Sequence, residues 1–489
     1  MSVKVPESFD MECDVVVAGY GAAGAAAAIT AHDNGAKVIV LEKMPTGGGN
    51  SRVSGGNIMV PKSINFAKYL KTISFGTTEP EVIDTFVENA MKNGDWIKEL
   101  GGDFMVFTPL TVTIPATSGG ASFPNIPDSE QMMKYNIKGT AADGPPSKRL
   151  WDLLSGNVER RGIKVALNTP AKELIQNDNG EIVGVRAEKD GKSISVKAKR
   201  AVILTCGGFE YNEPMKLDNL PCKPIHAHGN PGNTGDGIRM AQKVGADIWH
   251  MPYLSCSLGF KVDEFPSTFP MYFPTERFIY VDKYGKRFVD EAGVEIHEYW
   301  RMFSFFDIHR LEYPRIPMHA IFDDAGRRAG SFCSNLTGFN RESYKWSPDN
   351  SKEVEKGWVK KGTTIAQLAK EISVDESALE QTVAKYNEDC KAGTDTVFGR
   401  ARENLAALDK PPYYALKLWP ALINTQGGPR RNKEAMILDT DGKPIPRLYS
   451  AGELGSIWGF LYQGSTNVGE CLVFGRIAGK NAAADEPWS

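Results

Sequence analysis

Three glycines, Gly19, Gly21 and Gly24 in "GYGAAG", stand directly after an apolar run and directly before an alanine-rich one. That order of strand, glycine turn and helix suits a dinucleotide. The first glycine makes the turn, the second lets a pyrophosphate approach the backbone, and the third packs helix on strand. The helix N-terminus then offers unpaired N–H groups and the positive end of its dipole to the phosphates. Glu42 lies 18 residues after Gly24, at the end of the next strand, where a carboxylate accepts hydrogen bonds from both ribose hydroxyls. Behind it comes "TGGGNSRVSGGN", small and polar, for which a nicotinamide-binding chain has no evident use. FAD carries a ring system beyond its pyrophosphate, and a loop of this composition passes close to such a ring. Gly47 to Gly49 and Ser54 to Gly56 allow backbone closeness, and Asn50, Ser51 and Ser54 offer hydrogen bonds. The alternative is an ordinary flexible turn.

Stepping outward, the elements that must hold these residues read as a βαβ unit: a strand over 13–18, a helix over 22–33 and a strand over 37–41. Amphipathic helical periodicity returns over 80–100. Residues 115–146 read as Gly/Pro/Ser-rich loops around a site. Three further strands are expected at 164–168, 182–188 and 201–204, the last two joined by the "KDGK" hairpin signal. The texture turns aromatic and then polar-helical from about 247 to 400, and glycine turns with a closing helix follow from 411. At 489 residues the chain exceeds one ordinary core. The division expected is 1–246 for the first part of a discontinuous Rossmann-like FAD-binding domain, 247–408 for an inserted α+β capping and catalytic domain, and 409–489 for the second part. The fold class is α/β. With 57 Lys and Arg against 60 Asp and Glu the net charge is -3, which gives no broad attraction to nucleic acid or anionic membrane. Seven cysteines without a CxxC pair leave no readable metal or iron–sulfur ligand set. No apolar run reaches the length of a membrane span, and the N-terminus shows no leader pattern; a cytoplasmic location is expected.

The segments "VVVAGYGAAGAAAAITA", "VLEKMPTGGGNSRVSGG", "TSGGAS", "KRAVILTCGGF", "GNTGDGIRMAQKVGA", "NTQGGPRR", "IPRLYSAGELG" and "NVGECLVFGRIAG" resemble, in order, those of the fumarate reductase and succinate dehydrogenase flavoproteins. Their relatives include the 3-ketosteroid dehydrogenases, and the Δ4-type enzymes are similar around the first motif and near Tyr462. The resemblance implies FAD held by Gly19, Gly21, Ala22, Ala23, Gly24, Glu42 and Lys43 at the ADP end. Gly49, Asn50, Ser51, Ser54, Gly55 and Gly56 would run along the pyrophosphate and ring. It further implies Ala171, Thr205, Cys206, Gly207 and Asp236 near the adenosine, Glu453 at the ribityl chain or pyrophosphate, and the Asn467 and Val468 amides at the pyrimidine edge. Relatives that attach FAD covalently do so through a histidine in the loop matching "NSRVSGG"; this loop has none, so a non-covalent cofactor is expected.

The implied chemistry interconverts CH–CH and C=C beside a carbonyl, with a protein group moving a proton. Fumarate reductases carry a histidine and an arginine where this chain has Asn424 and "STNVG", which speaks against fumarate itself. Two residues are expected to act. Arg327 in "FDDAGRR" would be a proton donor or a grip on a carboxylate, unless it is a solvated arginine. Tyr462 would donate to a ketone or, with a lowered pKa, take an α-proton, unless it is a core tyrosine; the Δ4-type enzymes have serine where Gly464 stands. Asn424, Gly427, Gly428, Arg430 and Ser465 are weaker substrate candidates. Arg430 and Arg431 also read as a solvated pair, and His226 and His228 as loop histidines. The aromatic run 265–288 reads equally as pocket lining or core. No metal is implied. The activity expected is dehydrogenation of a cyclic ketone or keto acid, with ene reduction of an unsaturated acid or ketone, or a non-catalytic electron shuttle, as rivals. The partners would be a small carbonyl substrate and an electron acceptor or donor that the sequence leaves open.

Overall fold

The computed structural model describes residues 4–106 and 120–488; Thr117 to Gly119 of "TSGGAS" and the start of the expected 115–146 loops lie outside them. The βαβ unit is built from β1 (Met11–Ala18), α1 (Ala22–Asp33) and β2 (Val38–Leu41). β1 is the centre of an eight-stranded sheet, parallel to β2 on one side and to strand Lys192–Leu204 on the other. Beyond β2 lies Lys164–Ala166, and beyond Lys192–Leu204 lies Pro444–Ser450, both parallel. This sheet therefore unites chain from both ends of the sequence.

α1 is alanine-rich because it is covered on all sides. The last helix, Thr466–Ala484, crosses it so closely that a Cβ on Gly475 would sit 2.7 Å from the Ala23 carbonyl oxygen, and one on Gly479 2.4 Å from that of Ala27. Only small residues on both helices permit this approach.

The hairpin signal is met by Ile182–Lys189 and Lys192–Leu204, so the second strand starts well before residue 201. The first of these also pairs with Ala171–Gln176, whose "AKELIQ" has no clean alternation. The expected loops of 120–146 contain strand Lys134–Ile137, pairing with Ile58–Met59 and Phe104–Val106. Helix periodicity over 80–100 resolves into Pro80–Ala90 and Asn93–Glu99.

A second sheet has seven strands around Tyr413–Thr425, which pairs with Leu254–Phe260, Met318–Asp323, Val359–Gly362 and His226–Ala227. Both His226–Ala227 and Tyr413–Thr425 lie outside the expected 247–408 insert. His226 is thus part of a strand, which corrects its loop reading, whereas His228 lies in the bend just after it, buried between the Ser257 and Thr268 hydroxyls at 2.7 and 2.8 Å. The aromatic run divides: Phe269, Phe273, Phe278 and Tyr280 are buried in core, and Phe273, Phe278 and Tyr280 also border a cavity. Among the described residues no helix is long and apolar enough to cross a membrane, and no cluster of His, Cys, Asp or Glu is arranged to hold a metal.

Candidate active site

Where β1 ends, the chain turns through Gly19 at φ +109°, and a Cβ there would lie 2.3 Å from the Thr205 carbonyl oxygen. A Cβ on Gly24 would lie 2.1 Å from the oxygen of Gly19. Glycine is therefore required at both. Gly21 caps α1 without a side-chain hydrogen bond, and the first helical amide, Ala22 N, donates to Ser51 Oγ at 3.2 Å. The turn opens on a cleft. Gly19, Gly21, Ala22, Ala23, Glu42 and Lys43 line it, as do Gly49, Asn50, Ser51, Ala171, Thr205, Cys206, Gly207, Asp236 and Glu453. Gly24, Ser54, Gly55, Gly56, Asn467 and Val468 do not. Tyr20, Met44, Gly232, Asn233 and Cys471, which stand inside the resembling segments but are not among the expected site residues, line it too, and so does Asn230, which lies outside them.

At one end of the cleft the Glu42 carboxylate accepts from Tyr20 N and Met44 N, each at 2.8 Å, and burial raises its pKa. Lys43 Nζ bonds Thr234 Oγ1 and Asp236 Oδ2 at 2.6 and 2.7 Å. At the other end Asn50, in a short helix α2 (Gly49–Val53), donates to Glu210 at 2.8 Å and Glu453 at 3.1 Å. Burial, then the neighbouring Glu210, hold the Glu453 carboxyl well above its ordinary range. Asn424 also bonds Glu453. Ser54 Oγ donates to Ser51 O and accepts from Gly56 N, which shapes the loop behind α2. Gly56, at φ +67°, lies where a Cβ would meet Ser147 N at 2.3 Å.

The last helix begins at Thr466, after Ser465 at φ +73° with no side-chain cap; Ser465 Oγ accepts instead from Asn57 at 3.2 Å. Asn467 N donates to the Tyr462 hydroxyl at 3.3 Å. Both polar side-chain atoms of Asn467, both of Gln426, and Trp458 Nε1 are buried with no partner among the described residues. Orphaned buried polar atoms of this kind are costly unless a ligand satisfies them. The glycine cradle and the uncapped α1 N-terminus at the cleft fit the pyrophosphate of a bound dinucleotide; Asn467, Gln426 and Trp458 lie outside its lining.

Tyr462 is buried, and burial pushes its pKa up. Burial thus favours the neutral phenol, a hydrogen-bond donor. Its ring lies 5.1 Å from that of His297. His297 Nδ1 bonds Glu295 Oε1 at 2.8 Å, and the His297 amide donates to Glu295 Oε2 at 2.6 Å. Nothing in the local sequence "GVEIHEYW" marks this pair; only its meeting with residues 462–464 does.

The arginines lie elsewhere. Arg327 bonds Asp324 at 3.0 Å and Asp349 at 3.2 Å and covers the Tyr414 ring, so it is neither solvated nor part of this cluster. Arg430 is tied to Asp247 and Glu79, each at 2.6 Å, over the Trp249 ring. Arg431 is fully buried against Glu470, which overturns the reading of a solvated pair. Gly427 and Gly428 are where Met251 and Gly455 press against the chain, at 2.5 and 2.3 Å from a Cβ.

The FAD binding domain family matches residues 14–468. The chain is 30% identical to urocanate reductase of Eggerthella lenta, over 98% of this chain and 76% of that protein. It is 29% identical to a fumarate reductase (cytochrome) of Shewanella frigidimarina, over 96% and 77% respectively. In structure it resembles 3-ketosteroid delta1-dehydrogenase from Sterolibacterium denitrificans, with a TM-score of 0.83, 23% identity, and coverage of 97% of this chain and 99% of that one.

Proposed function

Because the chain belongs to the FAD binding domain family and is an FAD-dependent oxidoreductase acting on CH–CH and C=C groups, we propose that its substrate is a neutral ketone, desaturated beside its carbonyl. The observation that carries this is Tyr462: a buried, protonated phenol one turn before an uncapped helix N-terminus, next to the Asn467 amide. The Asn467 amide donates to the phenol oxygen, which leaves the phenol O–H to donate to a carbonyl oxygen on which negative charge develops. The arginines that would grip a dicarboxylate, Arg327 and Arg430, are each held by two carboxylates.

Bound FAD supplies two-electron chemistry at the carbon–carbon bond. On this reading the Gly19–Gly24 turn and the α1 N-terminus hold its pyrophosphate, and Glu42 holds the ribose. Lys43, Asp236, Ala171 and Thr205 to Gly207 surround the adenosine. Gly49 to Ser51, Ser54 to Gly56 and Glu453 follow the ribityl chain and ring, and Asn467 and Val468 meet the pyrimidine edge. Attachment is non-covalent, since residues 50–57 hold no histidine. The first sheet is the cofactor unit and the second sheet, through Thr425, the cap.

A second reading, reduction of an activated C=C, is favoured by the two reductases at 30% and 29% identity. One experiment separates them. The FAD-loaded protein is offered cyclohexanones with an artificial acceptor and, after dithionite reduction, 2-cyclohexenone and fumarate. Acid precipitation should release the yellow cofactor to the supernatant. Ketone-dependent bleaching supports desaturation; reoxidation by cyclohexenone alone supports ene reduction; activity confined to fumarate overturns the neutral-ketone reading.

A further inference from the structure

Resting on that reading, we propose that His297 is the group that exchanges the proton with the substrate carbon, and that Glu295 and Gly464 are the residues that position it. Three independent contacts fix the imidazole. Glu295 takes Nδ1 at 2.8 Å and the backbone amide at 2.6 Å, so both carboxylate oxygens are committed to one residue. The Tyr462 ring packs edge-on against it, with 68° between the planes. Gly464 leaves the space: a Cβ there would come within 2.6 Å of His297 Cε1 and 3.2 Å of Nδ1. A serine at 464 is incompatible with this ring position, which gives the glycine a chemical reason.

A carboxylate on Nδ1 fixes the tautomer, leaving Nε2 as the acceptor in neutral imidazole and as the donor in imidazolium. The described residues place no hydrogen-bond partner on Nε2. Glu295 is suited to this role. Burial favours its neutral form, yet the His297 charge and hydrogen bonds, with one from Ser122, hold its pKa below the ordinary value. The other titratable groups facing the pair are Tyr462, Glu298, Tyr69, Tyr299 and Lys134. Glu298 is committed to Tyr462 N and Arg301, and Tyr69 to Gln463. Tyr299 and Lys134 face Glu295 through space.

In desaturation the α-carbon C–H bond breaks, and its proton forms a bond to His297 Nε2. The electron pair it leaves becomes the new C=C as the β-carbon's hydrogen departs, with two electrons, to the oxidised flavin. The imidazolium then returns its proton to solvent. Reduction runs the same bonds backwards, with the proton leaving Nε2 for the α-carbon and two electrons coming from the reduced flavin.

The test uses FAD-loaded protein labelled with 15N-histidine. The signals lost in His297→Asn identify the ring, and in wild type the neutral ring should report protonated Nδ1 and bare Nε2. Glu295→Gln should release the tautomer, so that the 15N spectrum shows the proton shared between Nδ1 and Nε2, and lower kcat for ketone oxidation by about tenfold or more with KM unchanged. A merely structural contact would leave the tautomer unchanged. His297→Asn should cut kcat at least 100-fold at unchanged flavin absorbance, and Gly464→Ser should do so by displacing the ring. A proton on Nε2 in wild type, or a His297→Asn variant that keeps more than a tenth of kcat, overturns the proposal with the function left standing. A wild type inert towards every ketone and enone overturns the proposed function, and the imidazole spectrum then decides the pair alone.

Discussion

At the scale of single residues the site divides between groups that touch the proposed substrate and groups that hold the fold. Tyr462→Phe removes one donor from the carbonyl site and leaves the ring packing on His297 and Trp458. Loss of one such donor costs roughly 10² to 10³ in kcat, with flavin absorbance unchanged; stopped-flow bleaching by ketone measures it. Arg327→Ala makes the contrasting case. The guanidinium bridges Asp324 and Asp349 away from the cluster, so kcat should stay within about twofold while the denaturant midpoint falls, by about 1 to 2 kcal/mol for a half-buried ion pair network. A kcat loss beyond tenfold would return Arg327 to the mechanism. Arg327 draws attention in the sequence because its place resembles that of the fumarate reductases' proton-donating arginine; in the structure Asp324 beside it and the distant Asp349 are its partners, while Asp323 bonds Arg277. Glu295 and His297 were illegible because neither has a motif, and their meaning arises only where residues 295–297 meet residues 462–464. The glycine at 464 was visible as a departure, but its cause is the imidazole opposite.

At the scale of elements, the βαβ unit was readable almost to the residue because local propensity, glycine chemistry and burial all agree there. Strand Ala171–Gln176 and the early half of Lys192–Leu204 were not, since their residues are polar and charged and only cross-strand pairing makes them strands. The crossing of α1 and Thr466–Ala484 carries its own prediction. Gly479→Val would place side-chain carbon against the Ala27 backbone, 2.4 Å from its oxygen at the Cβ alone, where no flexible side chain can yield. Overpacking of this kind costs about 1 to 3 kcal/mol, read as a lower urea midpoint. Because the last helix also presents Asn467, weaker FAD retention should accompany it, whereas the exposed change Lys480→Ala should alter neither.

At the scale of the whole molecule, the second sheet is threaded by Tyr413–Thr425, a strand remote in sequence from its partners Leu254–Phe260 and Met318–Asp323. The last polar helix ends at Ala392, and the expected boundary at 408 falls just before this strand, while these partners lie within 247–408. This sheet also buries ionisable groups, and pH tests how well it is sealed. His319, on Met318–Asp323, has its pKa lowered from 6.5 to about 4 by burial and then by Lys417. Its folded pKa lies below its unfolded one, so the unfolded chain binds the extra proton. Stability is fully present above about pH 6.5 and is lost as pH falls towards 4. His228 behaves in the same sense, while the raised carboxyl of Glu453 opposes it, so the total pH profile mixes signs. Comparison with His319→Gln isolates one proton. Between pH 7.5 and pH 5 the wild type should lose about 2 kcal/mol more than the variant, measured by urea unfolding at each pH. Equal losses would mean that water reaches His319 in the folded protein and that the second sheet is not the sealed layer its burial describes.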